Sequence, residues 1–125
     1  MTEKKEAAAR LGRDGENWVR QVLERRGVTI LAQNWRCRWG EIDLIAATDT
    51  HVRFVEVKTR RSDAFARGVE AVDWRKRQKL TRAAQCWLQQ HPQEQRLLCF
   101  DVAEVYLREE GFRMRYFADA FEAEE

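Results

Sequence analysis

The feature that most constrains this chain is a pair of apolar, strand-forming runs lying close together, each interrupted by charge. Residues 42–47 read IDLIAA and residues 52–59 read VRFVEVKT. Only Thr48, Asp49, Thr50 and His51 separate them, so a hairpin is the natural pairing. Strand alternation puts Phe54, Glu56 and Lys58 on one face and Val55 and Val57 on the other. Asp43 stands between Ile42 and Leu44, where an unpaired buried carboxylate is costly and requires a counter-ion, a donor or a metal. If the hairpin sets Asp43 beside Glu56, two carboxylates ~4 Å apart repel by ~4 kcal/mol at an effective dielectric of ~20. A divalent cation would convert that repulsion into a binding site. Oxygen-only donors favour Mg2+ or Mn2+. Such a cation can polarise a phosphodiester oxygen and acidify a water. Lys58 could then orient that water or stabilise charge on the phosphorus.

Glu-x-Lys alone is a weak signal. The same pattern occurs at Glu3-Lys4-Lys5, in a polar stretch where it carries no chemistry. A cross-strand salt-bridge network of Asp43, Glu56 and Lys58 is the competing account. Glu16 borders the apolar stripe of the first helix, which directs a carboxylate toward the sheet. It could serve as a metal ligand or orient one, or simply favour the helix dipole. Lys76 precedes Leu80 by one helical turn and could reach a phosphate near the site. Alternatively, its stem lies along the core and its head in water. Gln78 is a weaker candidate. Arg53, Arg60, Arg61, Arg67, Arg75, Arg77, Lys79 and Arg82 crowd the same stretch. They could contact nucleic-acid phosphates or form a solvated surface. The five tryptophans are mostly core by spacing. Trp39, beside Gly40, is the one that could stack on a base.

The remaining chain organises around this hairpin. Residues 1–11 are polar and Ala-rich, a tail or a helical lead-in. A single domain is expected over residues 12–125, in line with a length of 125 residues. Trp18, Val19, Val22 and Leu23 predict a helix over about residues 13–26, stopped by Gly27. A strand is expected over 28–35, then a turn over 36–40. A basic, polar and mobile segment is expected over 60–68, followed by a helix over 73–90 closed by Pro92. A long strand over 97–107 precedes a strand over 112–117, antiparallel across Glu109, Glu110 and Gly111. A helical turn is expected over 118–122. Helix, three strands, helix and two strands make an α/β sheet with helices packed against it.

Composition excludes several alternatives. The three cysteines form no CxxC pair, which argues against a disulfide framework or a cysteine zinc site and for reduced thiols in the cytoplasm. The first residues have no apolar stretch of the signal-peptide kind, and no run approaches the ~20 apolar residues of a membrane span. A net charge of +2 is too mild to indicate nucleic-acid binding by itself, but the basic residues cluster between Arg53 and Arg82. His51 and His91 are isolated, and phosphate-loop, dinucleotide and serine-hydrolase motifs are missing from the sequence.

The stretches GRDGENWV, GVTILAQNWR, GEIDLIA, VRFVEVKTR, KRQKLTRAAQCWL and CFDVAEVYL together resemble the YraN-type family of uncharacterised bacterial proteins. They cover about residues 12–107. That family is similar to PD-(D/E)xK nucleases, with archaeal Holliday-junction resolvases as the nearest functional analogy. The resemblance implies a restriction-endonuclease-like mixed sheet flanked by helices. It makes Asp43 the motif aspartate, Glu56 and Lys58 the E-x-K pair, and Glu16 the helical glutamate. Ile42 stands where the motif has proline, Phe65-Ala66 where Phe-Gly is frequent, and Cys99 where arginine is frequent before Phe100-Asp101. Asp101 reads as structural, pairing with a helix or an arginine. The implied enzyme binds Mg2+ (or Mn2+) through Asp43, Glu56 and the Val57 carbonyl and cleaves DNA, branched DNA included, as a homodimer. Lys76, Arg60, Arg61 and Gln78 would meet nucleic acid. The alternative is a catalytically idle nucleic-acid-binding module in a repair or recombination complex.

Overall fold

The computed structural model describes residues 2–61 and 73–123. Helix α1 spans Glu3–Arg25, strands β1 Thr29–Cys37, β2 Gly40–Ala47 and β3 His51–Arg61, helix α2 Trp74–Gln90, and strands β4 Leu97–Arg108 and β5 Gly111–Phe121. The strands form one sheet in the order β1-β2-β3-β4-β5. The β3–β4 pair is parallel and the other neighbours are antiparallel. This is the mixed α/β sheet expected, and it fits the restriction-endonuclease-like class.

The middle strands are apolar on both faces because each face is covered. On one side, Val19 and Leu23 of α1 pack on Leu44, Val55, Ala103 and Val105. On the other, Leu80, Ala83, Ala84 and Trp87 of α2 pack on Ile45, Phe54 and Phe100. Phe54 meets Trp87 edge-on at 5.9 Å between ring centroids.

Helix α1 begins at Glu3 rather than near residue 13, taking in nearly all of the polar lead-in. Thr2 caps it by accepting from the Lys5 N–H at 3.3 Å, and Glu3 and Glu6 oppose the positive end of the dipole. Its end matches expectation: Gly27 adopts φ 83°, its N–H donates to the Glu24 carbonyl, and the Val28 N–H donates to the Leu23 carbonyl. That is a Schellman closure, which needs the left-handed backbone that glycine supplies. Asp73 caps α2 through a 2.9 Å bond from the Lys76 N–H.

One expected element is corrected. Residues 118–121 extend strand β5 instead of forming a helical turn. Phe100 pairs with Phe121 and Val102 with Phe117, so three residues of β5 bulge opposite Asp101. The Asp101 carboxylate accepts from the Asp119 N–H at 2.9 Å, and Asp119 takes φ 51°. That long-range acceptor holds the backbone as a bulged strand. Of the expected mobile segment over 60–68, Arg60 and Arg61 end β3, and residues 62–68, including Phe65, Ala66 and Arg67, lie outside the described residues.

Candidate metal and phosphodiester site

The hairpin register sets the centre. Leu44 pairs with Val55 and Ile45 with Phe54. One residue beyond the Leu44–Val55 pair, the same register brings Asp43 opposite Glu56. There the Asp43 side chain stands in for the ladder, its Oδ2 accepting from the Val57 N–H at 2.8 Å.

Glu56 is only 5% exposed. Its Oε1 lies 3.5 Å from Lys58 Nζ and 3.4 Å from Lys76 Nζ. Its Oε2 is buried and, among the described residues, has no hydrogen-bond partner. Two ammonium groups therefore share one oxygen while the other has none. Lys76 is thus brought into the site by α2, as the one-turn offset from Leu80 suggested.

Glu16 arrives from the opposite layer. Gly15 allows this: a Cβ there would fall 2.0 Å from Thr59 Oγ1, so only glycine lets α1 settle on β3 at that point. The Glu16 side chain interacts with Asn34 and Asp43, and its carboxyl is pushed up by burial and by the charges of Glu41 and Glu56. Asp43 rises from 3.8 to about 8, through burial first and then the charges of Glu56 and Glu16, opposed by the Val57 N–H and Lys76. A carboxyl held near neutrality by burial and then by neighbouring carboxylates is one whose charge a cation would stabilise.

Among the described residues, no three Asp, Glu, His or Cys side chains make up a metal site by themselves. A divalent cation here would rest on Asp43, Glu56 and a main-chain oxygen, with Glu16 acting on Asp43 from behind. The orphaned Glu56 Oε2 and the elevated Asp43 fit such an ion, since oxygen donors of this kind suit Mg2+ or Mn2+.

The other expected residues divide. Arg53 is engaged elsewhere: its guanidinium donates to both Asp101 carboxylate oxygens at 3.1 and 3.2 Å. Asp101 therefore pairs with an arginine, as expected of a structural aspartate. Arg60 lies at the end of β3, where its charge acts on Glu104. Among the described residues no contact joins Arg61 or Gln78 to the carboxylate cluster, and Gln78 is turned about 200° around α2 from Lys76. Trp87 is buried as expected, but Trp74 is 53% exposed at the start of α2 and Trp39 is 39% exposed.

Two residues at the site escaped sequence reading. Asn34 lies between the pairs Gln33–Leu44 and Trp35–Ile42, which puts it across from Asp43, and it adopts φ 51°. Asparagine tolerates that conformation better than other non-glycine residues, and its presence inside a strand pattern was the available signal. Glu104 is fully buried on β4, in register with Lys58, and among the described residues neither carboxylate oxygen has a hydrogen-bond partner. Burial raises its pKa against the charges of Arg115 and Arg60. Like Asp43, it interrupts an apolar run.

Among the described residues, no helix is long and apolar enough to cross a membrane. The model of the uncharacterised protein family UPF0102 matches residues 15–105. A UPF0102 protein of Synechococcus sp. (strain JA-3-3Ab) is 50% identical over 107 residues, covering 84% of this chain and 82% of the relative. One from Ectopseudomonas mendocina (strain ymp) is 44% identical over 114 residues, covering 90% and 95%. Another, from Alkaliphilus metalliredigens (strain QYMF), is 40% identical over 111 residues, covering 89% and 96%. The YraN-type motifs and the matched region coincide along the hairpin, the helix α2 and strand β4, and the chain belongs to the UPF0102 family.

Proposed function

We propose that this chain is a metal-dependent endonuclease that hydrolyses phosphodiester bonds in DNA, branched DNA included, and works in the cytoplasm in repair or recombination. The observation that carries this reading is Glu56: a buried carboxylate with one oxygen shared by Lys58 and Lys76 and the other, among the described residues, unpartnered, beside an Asp43 that burial and like charge push up to about 8. Asp43, Glu56 and the Val57 carbonyl would hold Mg2+ or Mn2+. When bound, the ion supplies Lewis-acid polarisation of a phosphoryl oxygen and a more acidic water.

The chain's own groups account for the rest. The Val57 N–H fixes the Asp43 rotamer. Glu16, itself tied to Asn34 of β1, meets the Asp43 carboxyl from α1. Lys58 is positioned to donate to an attacking water or to a non-bridging phosphate oxygen, and Lys76 can exchange Glu56 for a substrate phosphate. Both are charge-assisted contacts that strengthen as negative charge builds on phosphorus. A homodimer would present two such sites to a symmetric branched substrate.

The test is cleavage of labelled single-stranded, duplex, flap and four-way-junction DNA with Mg2+, Mn2+ or EDTA. Cutting that needs the metal, and that is lost in both Asp43→Asn and Lys58→Ala, supports the reading. Full activity in Asp43→Asn would sink it. A second reading has its own observation: Lys58 and Lys76 already neutralise Glu56 without an ion. Tight, salt-sensitive DNA binding with no cutting under any of these conditions would favour an idle binding module.

A further inference from the structure

The β1–β2 turn carries Trp39 away from the core. Its ring is 39% exposed. The Arg38 guanidinium lies 4.6 Å from the ring centroid and that of Arg82 4.9 Å. Two guanidinium groups gathered on one ring repel each other, and each gains only a modest cation–π attraction in return. Around them is an open recess of about 610 Å³, lined by these residues with Gln85, Cys86 and Gln89. Among the described residues, none of the lining side chains is acidic, so their part of the recess offers an aromatic face and paired positive charge.

Its position relative to the carboxylates matters. A Cβ at Gly40 would lie 3.9 Å from the Lys79 Cβ, so the turn rests directly on α2. Lys76, Lys79 and Arg82 follow one another at three-residue spacing on α2, one side of the helix. The row starts at Glu56, 3.4 Å from Lys76, and ends on Trp39. Six residues of helix span about 9 Å, close to three stacked base steps of about 3.4 Å. Aromatic rings beside a basic track are the elements that hold single-stranded nucleic acid, the ring taking a base and the cations its phosphates.

We propose that Trp39, with Arg38 and Arg82, is a stacking site for an unpaired base of the DNA substrate, a few nucleotides from the scissile position. The site makes the protein selective for DNA with a single-stranded arm over blunt duplex. This rests on the nuclease reading only for the location of the cut. The binding itself is independent of metal and of cleavage.

The experiment is fluorescence anisotropy in EDTA with a labelled blunt duplex and with the same duplex carrying a single-stranded oligothymidine arm. Wild-type protein, Trp39→Ala, Trp39→Phe and Arg82→Ala are compared. The wild type is expected to prefer the armed DNA. Trp39→Ala should weaken binding to the armed DNA about tenfold, the scale of one lost base–aromatic stack, and to blunt duplex less than about twofold. Trp39→Phe should keep most of the preference, and Arg82→Ala should lower the salt dependence by about one counterion. Equal losses on both DNAs, or no loss in Trp39→Ala, overturn the proposal. Metal-dependent cleavage alongside those outcomes would leave the nuclease reading standing. No binding of wild type to either DNA in EDTA overturns the stacking site, while the nuclease reading stands or falls on metal-dependent cleavage alone.

Discussion

Strands β3 and β4 each carry an inward acidic residue near the middle of the sheet, and the two are treated in opposite ways. Asp101 is completely buried and fully partnered: Arg53 donates to both oxygens, the Tyr116 hydroxyl donates to Oδ2, and the Asp119 N–H donates to Oδ1. Its negative charge in turn raises the pKa of Tyr116, after burial. Glu56 is buried with both of its ammonium partners on one oxygen and, among the described residues, none on the other, and the half-buried Asp43 beside it is pushed up to about 8. The difference separates a charge that organises the fold from charges held at a cost to it. A saturated carboxylate has nothing left to offer a ligand, whereas an under-coordinated one does.

The contrast can be broken most forcefully at Asp101. Asp101→Ala leaves Arg53 without its counter-ion and frees the bulge of β5, so a loss of about 3–5 kcal/mol is expected in denaturant unfolding. A loss under about 1 kcal/mol would mean that the cage is not what holds β5. Gly15→Ala comes next. Alanine gains up to about 1 kcal/mol of helix propensity, but the clash with the β-branched Thr59 costs about 1–3 kcal/mol, so net destabilisation is expected. Because the clash lifts Glu16 with α1, metal-dependent cleavage should also fall.

At Asp43 the sign reverses. Its folded pKa, about 8, lies above the ordinary 3.8. The folded protein therefore binds the proton more tightly than the unfolded chain. The resulting stability is fully present below about pH 4 and is lost as pH rises through about 8. In EDTA, Asp43→Asn should raise stability at pH 8 by on the order of 1 kcal/mol and flatten the profile between these values. A melting temperature that rises with pH across this window in the wild type would contradict the assignment. Millimolar Mg2+ should recover part of the same stability in the wild type and none in Asp43→Asn. The smallest effect is expected at Asp119. Its main-chain N–H is the donor to Asp101, and asparagine tolerates φ 51° as well as aspartate does. Asp119→Asn should therefore shift stability by less than about 0.5 kcal/mol. A larger shift would give the Asp119 carboxylate a role of its own in the cage.

The sequence by itself determined the local elements and the centre of the site. Alternation in β3 placed Glu56 and Lys58 on one face, the short link to β2 pointed to Asp43 across from Glu56, and helical spacing closed by Pro92 defined α2. These follow from periodicities and loops that act over a few residues. Only the tertiary structure decided which distant groups join that centre. Glu16 reaches Asp43 because Gly15 lets α1 close on Thr59. Lys76 shares Glu56 because α2 crosses β2, and Asn34 of β1 comes to stand across from Asp43. Arg53, counted among residues free for phosphate, is drawn to Asp101 across the β3–β4 pair, and the same carboxylate turns an expected helical turn into a bulged strand. Each of these depends on the register and packing of elements far apart in the chain, where the partner of a charge is chosen by distance in space and not by its neighbours in sequence.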